Sequence, residues 1–426
     1  MMRKMLPVSN LNAAVSLPGS KYLANRLVII AALAEGEVRL DNVVSNDDIN
    51  TAIKGLNDLG YCLEKTSSEG SNAIVSSPRQ EGLTEPANIY TAHSGTFSRF
   101  ITAVAALDNQ PVTIKGSEKM NSRPMAELFD ALEQLGVSVS SSGGQLPAII
   151  TGPVNQFHCK VDGSKSSQYI SALLLSSPRL NHDFMLELIG EEVSTQYIDM
   201  TVDLMRQFGI KVEKHGRCYK VAAQPAYQSK SMVIPPDPVS SSYFMAAAAI
   251  NAGKVALQSF DFDSLQGEAQ FYKVLQAMGC DIQRKGSGLL IERNKPLVAV
   301  ERDMGEMPDV VQTMAVVACF AEGTTVMRNI AHLAYKESNR IVDTANELKR
   351  LGATVEYGSD YLAVTGGCKL AGTTVETYDD HRMAMSLALI GSRIPDVVIN
   401  NAQVVSKSFP NYFDKLADMG ICSESV

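Results

Sequence analysis

One short signature recurs six times along the 426-residue chain, and it constrains the fold more than any other feature. Each copy has a bulky apolar residue, a glycine, and then an apolar or small residue that opens a strand-like alternation. Glycine directly after a helix supplies the left-handed residue that closes the helix. The copies begin at Leu59, Leu135, Phe208, Met278, Leu351 and Met419, and their glycines are 76, 73, 70, 73 and 68 residues apart. This recurrence predicts six related units.

Each predicted unit contains two strand–loop–helix segments. A short strand runs through a polar loop into a helix of small apolar residues, as in residues 15–21 followed by a helix over 22–34. The sixth copy has a strand-like run at 373–377 and a helix over 383–390. The sequence therefore predicts a mixed α/β protein of six β-α-β-α units.

Six units divide naturally into two similar domains of three. The proline-rich stretch 235–238 lies between the third and fourth units, at the same place in its unit as residues 17–20 in the first. We infer that the chain crosses between domains at both points, which forms a two-strand hinge. The predicted domains are 20–236, and 1–19 together with 237–426. If the units are equivalent, their helix N-termini converge on a cleft that holds the active site.

Basic residues recur at the loops and first helical turns of these units. Helix N-termini carry partial positive charge, so added cations there favour a bound anion. Asp380 precedes the last such helix as a candidate cap, with His381 and Arg382 in its first turn. Asp309 and Glu337 are candidates for proton transfer. The basic residues at these positions are Lys21, Arg26, Arg99, Arg123, Lys336, Arg340, Arg382 and Lys407.

Charge and spacing exclude several other classes of protein. The net charge of −8 argues against a broad nucleic-acid or anionic-membrane surface. Seven scattered cysteines without a C-x-x-C pair indicate reduced thiols and a cytoplasmic location. The histidines lack zinc-site spacing, no signal peptide or membrane-span pattern is present, and Gly19-Ser20-Lys21 lacks the P-loop pattern. We therefore expect no metal.

Seven motifs, in order along essentially the whole chain, resemble those of the EPSP synthases (3-phosphoshikimate 1-carboxyvinyltransferases). The motifs are Leu-Pro-Gly-Ser-Lys at 17–21 with Asn25 and Arg26, Ser94-Gly95-Thr96 with Arg99, Arg123-Pro124, Ser166-Ser167-Gln168, Lys336-Glu337 with Arg340, Asp-His-Arg-Met-Ala-Met at 380–385, and Ser406-Lys407 with Phe409-Pro410. The resemblance implies two similar domains, each of three β-α-β-α-β-β units. It implies transfer of the enolpyruvyl group of phosphoenolpyruvate to the 5-hydroxyl of shikimate 3-phosphate, in aromatic amino-acid biosynthesis, by a monomer without a cofactor.

The resemblance also implies roles for individual residues. Those around the reacting atoms are Lys21, Asp309, Lys336, Glu337 and His381. Those that bind shikimate 3-phosphate are Lys21, Tyr22, Arg26, Ser166, Ser167, Gln168, Ser194, Tyr197, Asp309, His332 and Lys336. Those that bind phosphoenolpyruvate are Lys21, Gly95, Arg123, Gln168, Arg340, Arg382 and Lys407. Asp309 is the expected base at the hydroxyl, and Glu337 is the expected proton donor to the methylene carbon.

The chain departs from the family pattern at a few positions. Tyr22 replaces a serine that helps to hold the acceptor carboxylate, and His93, Phe97, His332 and Ala334 are also unusual. These changes leave open a paralogue that uses a related acceptor. Transfer to UDP-N-acetylglucosamine is disfavoured, because residues 116–124 lack the reactive cysteine of that family. A non-catalytic phospho-ligand protein is disfavoured because the acid and base candidates are both present.

Overall fold

The computed structural model describes residues 1–68, 71–190, 195–223 and 226–426. The chain divides into two compact units. Unit one consists of Met1–Pro18 and Pro235–Val426, and unit two is the continuous stretch Gly19–Ile234. The sequence prediction of a mixed α/β fold is confirmed by the alternation of helices and strands in both units.

Unit two contains seven helices and twelve strands in its described residues. The helices are α1 (Lys21–Leu33), α2 (Asp47–Asp58), α3 (Gly95–Ala105), α4 (Glu118–Asn121), α5 (Ala126–Gln134), α6 (Ser167–Ser176) and α7 (Thr195–Gln207). The strands are β3 (Val38–Asp41), β4 (Cys62–Ser68), β5 (Ser71–Ser77), β6 (Ala87–Tyr90), β7 (Val112–Lys115), β8 (Ser138–Ser142), β9 (Gln145–Thr151), β10 (His158–Asp162), β11 (Phe184–Ile189), β12 (Val212–His215), β13 (Cys218–Val221) and β14 (Ser231–Val233).

Unit one begins with β1 (Arg3–Met5) and β2 (Asn12–Val15) and resumes after residue 234. Its helices are α8 (Pro238–Asn251), α9 (Phe271–Ala277), α10 (Val311–Ala318), α11 (Arg340–Arg350), α12 (His381–Gly391) and α13 (Tyr412–Asp418). Its later strands are β15 (Lys254–Leu257), β16 (Asp281–Lys285), β17 (Gly288–Glu292), β18 (Leu297–Val298), β19 (Glu301–Asp303), β20 (Ala321–Glu322), β21 (Thr324–Arg328), β22 (Thr354–Tyr357), β23 (Tyr361–Thr365), β24 (Thr374–Val375), β25 (Val398–Ile399) and β26 (Ser423–Ser425). Short 3₁₀ turns cover Gly267–Gln270, Pro308–Val310, Ala331–Tyr335 and Ala402–Lys407.

Six four-stranded sheets among the described residues share one topology. In the sheet β6-β7-β9-β8, the first pair is parallel and the other two pairs are antiparallel. The same pattern occurs in β10-β11-β13-β12, β14-β3-β5-β4, β2-β15-β17-β16, β19-β21-β23-β22 and β24-β25-β1-β26. Strands β1 and β2 both pair with strands of the C-terminal half, so the N-terminal residues complete two sheets of unit one.

The six signature glycines all lie directly after a helix and in the left-handed region. Their φ angles run from 81° at Gly60 and Gly136 to 109° at Gly279. This region is open to glycine because it has no Cβ. The predicted helix ends are therefore confirmed.

Three buried helices form the centre of each unit. In unit two, α1, α3 and α6 pack on one another, and in unit one α8, α10 and α12 do so. Nearly every residue of these helices is buried, including small polar ones such as Ser98, Ser171 and Ser241. A helix buried on all sides needs apolar residues on all faces, and small residues allow close packing. Since the helix bodies are inaccessible, the first turns and the loops before them carry the polar candidates.

Candidate active site

The central helices of the two units have caps of different charge. In unit two, Ser94 and Ser166 accept backbone N–H groups at the starts of α3 and α6. In unit one, Asp237 and Asp380 do so at the starts of α8 and α12. A serine cap leaves the positive helix end uncompensated, whereas an aspartate cap neutralises it. The starts of α3 and α6 therefore keep more positive potential than the starts of α8 and α12.

Unit one holds a charged network that we call the arginine–carboxylate cluster. It is made of Asp309, Arg340, Asp380 and Arg382, which are buried, and of Glu337 and Lys407, which are half-buried. Arg340 donates to all three carboxylates, at 2.7 Å to Asp380, 2.8 Å to Asp309 and 2.9 Å to Glu337. Arg382 donates to the second Asp309 oxygen at 2.9 Å. Lys407 donates to the second Glu337 oxygen at 2.6 Å. Arg340 is buried with only 1% of its side chain exposed.

Three cations and three carboxylates balance within this cluster. Burial lowers the pKa of Arg340, but the charges of Asp380, Glu337 and Asp309 outweigh burial, so the pKa of Arg340 is raised. Removing one partner from such a network is costly, because the group that it paired with would become an unpaired buried charge. The two proton-transfer candidates Asp309 and Glu337 therefore lie in a cluster of balanced charge.

Glu337 is strongly held in its ionised form within the cluster. Burial raises the pKa of Glu337, but the charges of Lys407, Arg340 and His381 outweigh burial and bring it well below the ordinary value. An opposite charge at hydrogen-bond distance stabilises a carboxylate in this way. Glu337 therefore has to lose one of these contacts before it can carry a proton.

Unit two holds an arginine pair, Arg99 and Arg123, next to Gly95 at the start of α3. Arg99 is buried and donates to the Gly95 carbonyl at 2.9 Å and to the Gln168 side chain at 2.8 Å. A Cβ at Gly95 would lie 2.4 Å from an Arg123 nitrogen, so only glycine leaves room for this guanidinium. Burial, followed by the charge of Arg123, lowers the pKa of Arg99 to about 10. Among the described residues neither arginine forms a salt bridge, so the pair favours a bound anion.

The start of α6 lies next to this arginine pair. Gln168 joins the two, since its amide donates to the Thr96 hydroxyl at 3.1 Å while its oxygen accepts from Arg99. Ser166 caps the helix and accepts the Gln168 N–H at 3.3 Å. Ser167 follows as the first, buried helical residue. Hydroxyls at a helix N-terminus suit a phosphate group.

The N-terminal half of α1 packs against α7 and brings four candidates together. These are Lys21, Tyr22 and Arg26 on α1 and Tyr197 on α7. Arg26 is buried and donates to the Thr201 hydroxyl at 2.7 Å and to the carbonyls of Tyr22 and Tyr197 at 2.9 and 3.0 Å. The Tyr22 and Tyr197 rings lie 5.3 Å apart, and the Lys21 ammonium lies 5.6 Å from the Tyr22 ring. Burial lowers the pKa of Arg26 to about 10. Tyr22 thus stands in an aromatic pair where the family has a serine.

The other candidates are less closely tied to these groups. Lys336 is exposed at the end of its 3₁₀ turn, and burial followed by the Lys336 charge lowers the pKa of His332. The His381 ring is buried, with Nδ1 3.7 Å from an Asp380 oxygen. Ser194 lies outside the described residues.

Several contributors were not among the site residues predicted from the sequence. Thr201 bonds Arg26 and also contacts Ser171 at 2.8 Å, and Tyr243 accepts from Arg382 at 3.3 Å. Burial raises the pKa of Tyr243 to about 12. These two sit inside ordinary apolar helix patterns, so no motif could reveal them. Asp380 had a sequence signal, its position before a helix, but its bond to Arg340 depends on the fold.

The described residues contain neither a candidate metal site nor a candidate membrane-spanning helix. No group of three or more histidine, cysteine, aspartate or glutamate side chains in them could hold a metal ion. No helix within them is long and apolar enough to cross a membrane.

The fold is that of an enolpyruvyl transferase. Solved EPSP synthase structures from Acinetobacter baumannii match with TM-scores of 0.85 and 0.84 at 22% and 21% identity, covering 99% or more of each chain. This likeness establishes the two-domain enolpyruvyl transferase fold.

The family is given by the sequence comparisons. The EPSP synthase (3-phosphoshikimate 1-carboxyvinyltransferase) family model matches residues 6–416. The 3-phosphoshikimate 1-carboxyvinyltransferase of Photobacterium profundum is 36% identical over 418 residues, 97% of each chain. That of Vibrio cholerae serotype O1 is 36% identical over 420 residues, 97% of this chain and 98% of its own. The chain belongs to the EPSP synthase family.

Proposed function

We propose that the chain transfers the enolpyruvyl group of phosphoenolpyruvate to the 5-hydroxyl of shikimate 3-phosphate, which releases phosphate. Membership of the EPSP synthase family across residues 6–416 carries this proposal. Both units also offer the buried cations that two multiply charged anions need. The alternatives considered from the sequence, a related acceptor or a non-catalytic binding protein, are not favoured by the family match.

Phosphoenolpyruvate has a phosphate and a carboxylate, and both suit arginine. In unit two, Arg123 beside Gly95 would take the phosphate, with Gln168 and Lys21 as further donors. In unit one, Arg340 and Arg382 would take the carboxylate, and Lys407 would bind phosphate. A guanidinium can give two parallel hydrogen bonds to either group.

Shikimate 3-phosphate would place its phosphate at the start of α6. Ser166, Ser167 and Gln168 lie there, and the helix end adds a positive potential. Tyr197, and Ser194 outside the described residues, complete this proposed set. Arg26 and Tyr22 would serve the acceptor carboxylate. Arg26 already donates three hydrogen bonds to protein oxygens. Its remaining N–H groups, and the Tyr22 backbone that it holds in place, would therefore contact the acceptor carboxylate.

The reaction needs one proton delivered to carbon and two removed, one from the hydroxyl and one from the same carbon. Glu337 would protonate the methylene carbon of phosphoenolpyruvate, and the 5-hydroxyl oxygen would then bond to the neighbouring carbon while Asp309 takes the hydroxyl proton. The tetrahedral adduct would lose phosphate and the added proton, which restores the double bond. Lys21, Lys336 and His381 would offset the charge of the phosphate and of the adduct. Asp309 and Glu337 are suited to opposite roles, since proton transfer needs a positioned base and a positioned acid.

Glu337 is ionised in the cluster, so it can act as a proton donor only if substrate binding first lets it take up a proton. The anionic groups of phosphoenolpyruvate would compete for Lys407 and Arg340, the two cations that hold the pKa of Glu337 down. Loss of either contact raises the pKa of this carboxyl. Substrate binding would therefore prepare the acid.

The proposed function also concerns the location, the assembly and the domains of the protein. We expect a monomer in the cytoplasm, without cofactor, nucleic acid or membrane. We also propose that the chain forms the two domains predicted from the sequence, 20–236, and 1–19 with 237–426, joined by the hinge and with the active site in the cleft between them. His332 near Lys336 would approach the acceptor.

Phosphate release tests the proposed function directly. Purified protein is given phosphoenolpyruvate with and without shikimate 3-phosphate. We expect release that depends on shikimate 3-phosphate, at a rate of order 1–10³ per second. Release with UDP-N-acetylglucosamine instead, or with no acceptor, would contradict the proposal. Binding of shikimate 3-phosphate without release would identify a non-catalytic protein.

A further inference from the structure

One buried acid next to the proposed base has no role in the reaction described so far. Glu268 lies on the 3₁₀ turn Gly267–Gln270, and its side chain is 0% exposed. It is 41 residues from Asp309 along the chain, yet one of its oxygens accepts the Asp309 backbone N–H at 3.4 Å. Among the described residues, its second oxygen has no hydrogen-bond partner. A fully buried carboxyl with half of its bonding capacity unused requires an explanation.

The backbone around Glu268 is in direct contact with the segment that leads to Asp309. A Cβ at Gly267 would lie 1.9 Å from the Glu306 carbonyl oxygen. Only glycine allows two main chains to approach this closely. The turn of Glu268 and the turn of Asp309 are thus held together by backbone packing as well as by the hydrogen bond.

We propose that Glu268 is a positioning residue for Asp309: it accepts the Asp309 N–H and fixes the turn from which the Asp309 carboxylate reaches Arg340 and Arg382. This inference rests on the proposed function, in which Asp309 takes the hydroxyl proton. Both carboxylate oxygens of Asp309 are already oriented by guanidinium bonds of 2.8 and 2.9 Å. Glu268 adds the constraint on the main chain that those side-chain bonds cannot supply.

The charge of Glu268 makes this arrangement sensitive to pH. Burial, and then the negative charge of Asp309, raise the pKa of Glu268 to about 8, and the charge of Arg382 opposes them. The other titratable groups on the elements packed against its turn are Tyr243 on α8 and Tyr272 and Lys273 on α9. Near neutral pH, Glu268 is therefore an uncharged acid next to Asp309. Above about pH 8 it would become a second negative charge that competes for Arg382.

Two variants separate the hydrogen bond from the charge. Glu268→Gln keeps an acceptor oxygen and cannot ionise, whereas Glu268→Met has similar length and offers no such acceptor. Glu356→Gln on β22 removes an exposed carboxyl and serves as the matched control. For each protein, kcat and KM for phosphoenolpyruvate are measured across neutral and alkaline pH, together with the thermal midpoint.

We expect Glu268→Gln to keep kcat at neutral pH within about threefold of wild type and to lose the part of the alkaline decline in kcat/KM that begins near about pH 8. We expect Glu268→Met to lower kcat by about tenfold with less than about threefold change in KM, which matches the loss of one buried hydrogen bond. Glu356→Gln should follow wild type throughout.

Two results would overturn the inference. One is a folded Glu268→Met protein with the kcat of wild type. The other is a Glu268→Gln profile whose alkaline decline coincides with that of wild type, and this result decides alone if the methionine variant does not fold. A wild-type protein that releases no phosphate would instead overturn the proposed function, and this inference would fail with it.

Discussion

Asp309 is the residue on which most of the proposed chemistry depends, because it accepts from Arg340 and Arg382 at once. Removing its charge would take away the base and leave two buried guanidinium groups short of a partner. We expect Asp309→Asn to lower kcat by about 10²–10⁴, the usual contribution of a positioned base. Asp414→Asn, at an exposed position on α13, is the control and should keep wild-type turnover.

The measurement is phosphate release at saturating substrates, accompanied by thermal unfolding of each variant. If Asp309→Asn folds and still turns over within about fivefold of wild type, Asp309 is not the base. An unfolded variant would show that the pairing of Asp309 with Arg340 and Arg382 is needed for folding.

Glu337 gives a second residue-scale prediction, which concerns stability and pH. Its pKa is well below the ordinary value in the folded protein, whereas an unfolded glutamate titrates near about 4.3. A lowered carboxyl pKa stabilises the fold fully above the unfolded pKa, and this stabilisation is lost as the pH falls toward the folded value. We expect Glu337→Gln to be less stable than wild type at neutral pH, with a difference that shrinks below about pH 4.

Urea unfolding of wild type and Glu337→Gln at about pH 7 and about pH 3.5 measures this difference. Glu356→Gln removes a surface carboxylate and should show little difference at either pH. A Glu337→Gln protein with the same loss of stability at both pH values would mean that the ion pairs with Lys407 and Arg340 contribute nothing.

At the residue scale, the sequence predicts which polar residues are candidates for the site better than it predicts which of them form ion pairs with one another. Motif positions and first helical turns brought out Arg340, Arg382 and Glu337, because those are local features. The Arg340–Glu337 pair is local, but the bonds of Arg340 to Asp309 and Asp380 join loops distant in the chain, which no local pattern encodes. The pairing also explains why the acids of unit one do not lie in an excess of positive charge.

The element scale is where prediction from sequence worked best, because helix ends are set by nearby residues. All six signature glycines have positive φ after a helix, yet their surroundings differ. A Cβ at Gly420 would meet nothing within 4 Å, whereas one at Gly136 would lie 2.0 Å from the Asn155 side chain. The same cap is therefore isolated in one repeat and packed in another.

This difference predicts unequal costs for the same substitution. Gly420→Ala should lower the free energy of unfolding by about 1 kcal/mol, from backbone strain alone. Gly136→Ala has the same strain and must also displace Asn155, so we expect a clearly larger loss. Urea unfolding measures both, and equal losses would show that Asn155 moves aside without cost.

Other elements were beyond the reach of sequence patterns. The two-residue strands β18, β20 and β25 are too short to give a readable alternation. The 3₁₀ turn Gly267–Gln270 is likewise set by the contact of Gly267 with Glu306, which is a tertiary interaction. No local pattern therefore marks Glu268 as a neighbour of Asp309.

At the scale of the whole molecule, the two units differ in how the chain builds them. Unit two is one continuous stretch, Gly19–Ile234, and its three four-stranded sheets use only strands from that stretch. Unit one needs β1 and β2 from the N-terminus to complete two sheets. The period of the glycine signature predicted six units, and the sequence also predicted that residues 1–19 join the C-terminal domain, whereas the particular strands with which β1 and β2 pair follow from the fold alone.

This asymmetry makes the proposed division of substrates testable with part of the chain. Unit two contains the α6 start and the α1 first turn proposed for shikimate 3-phosphate, whereas Asp309, Glu337 and Arg340 belong to unit one. We expect a fragment of residues 19–234 to unfold cooperatively, since α1, α3 and α6 form its own buried centre. It should bind shikimate 3-phosphate more weakly than the full chain and release no phosphate from phosphoenolpyruvate.

Calorimetry of the fragment with shikimate 3-phosphate measures the binding, and the same fragment with Ser166→Ala and Ser167→Ala is the control. Those two changes remove the hydroxyls at the start of α6, so binding should weaken by about tenfold or more, as expected for lost bonds to a charged group. A folded fragment that binds equally well with and without the two serines would contradict the α6 assignment. A fragment that aggregates without a cooperative transition would show that unit two needs unit one to fold, because its hydrophobic centre alone does not offset the entropy of ordering the chain.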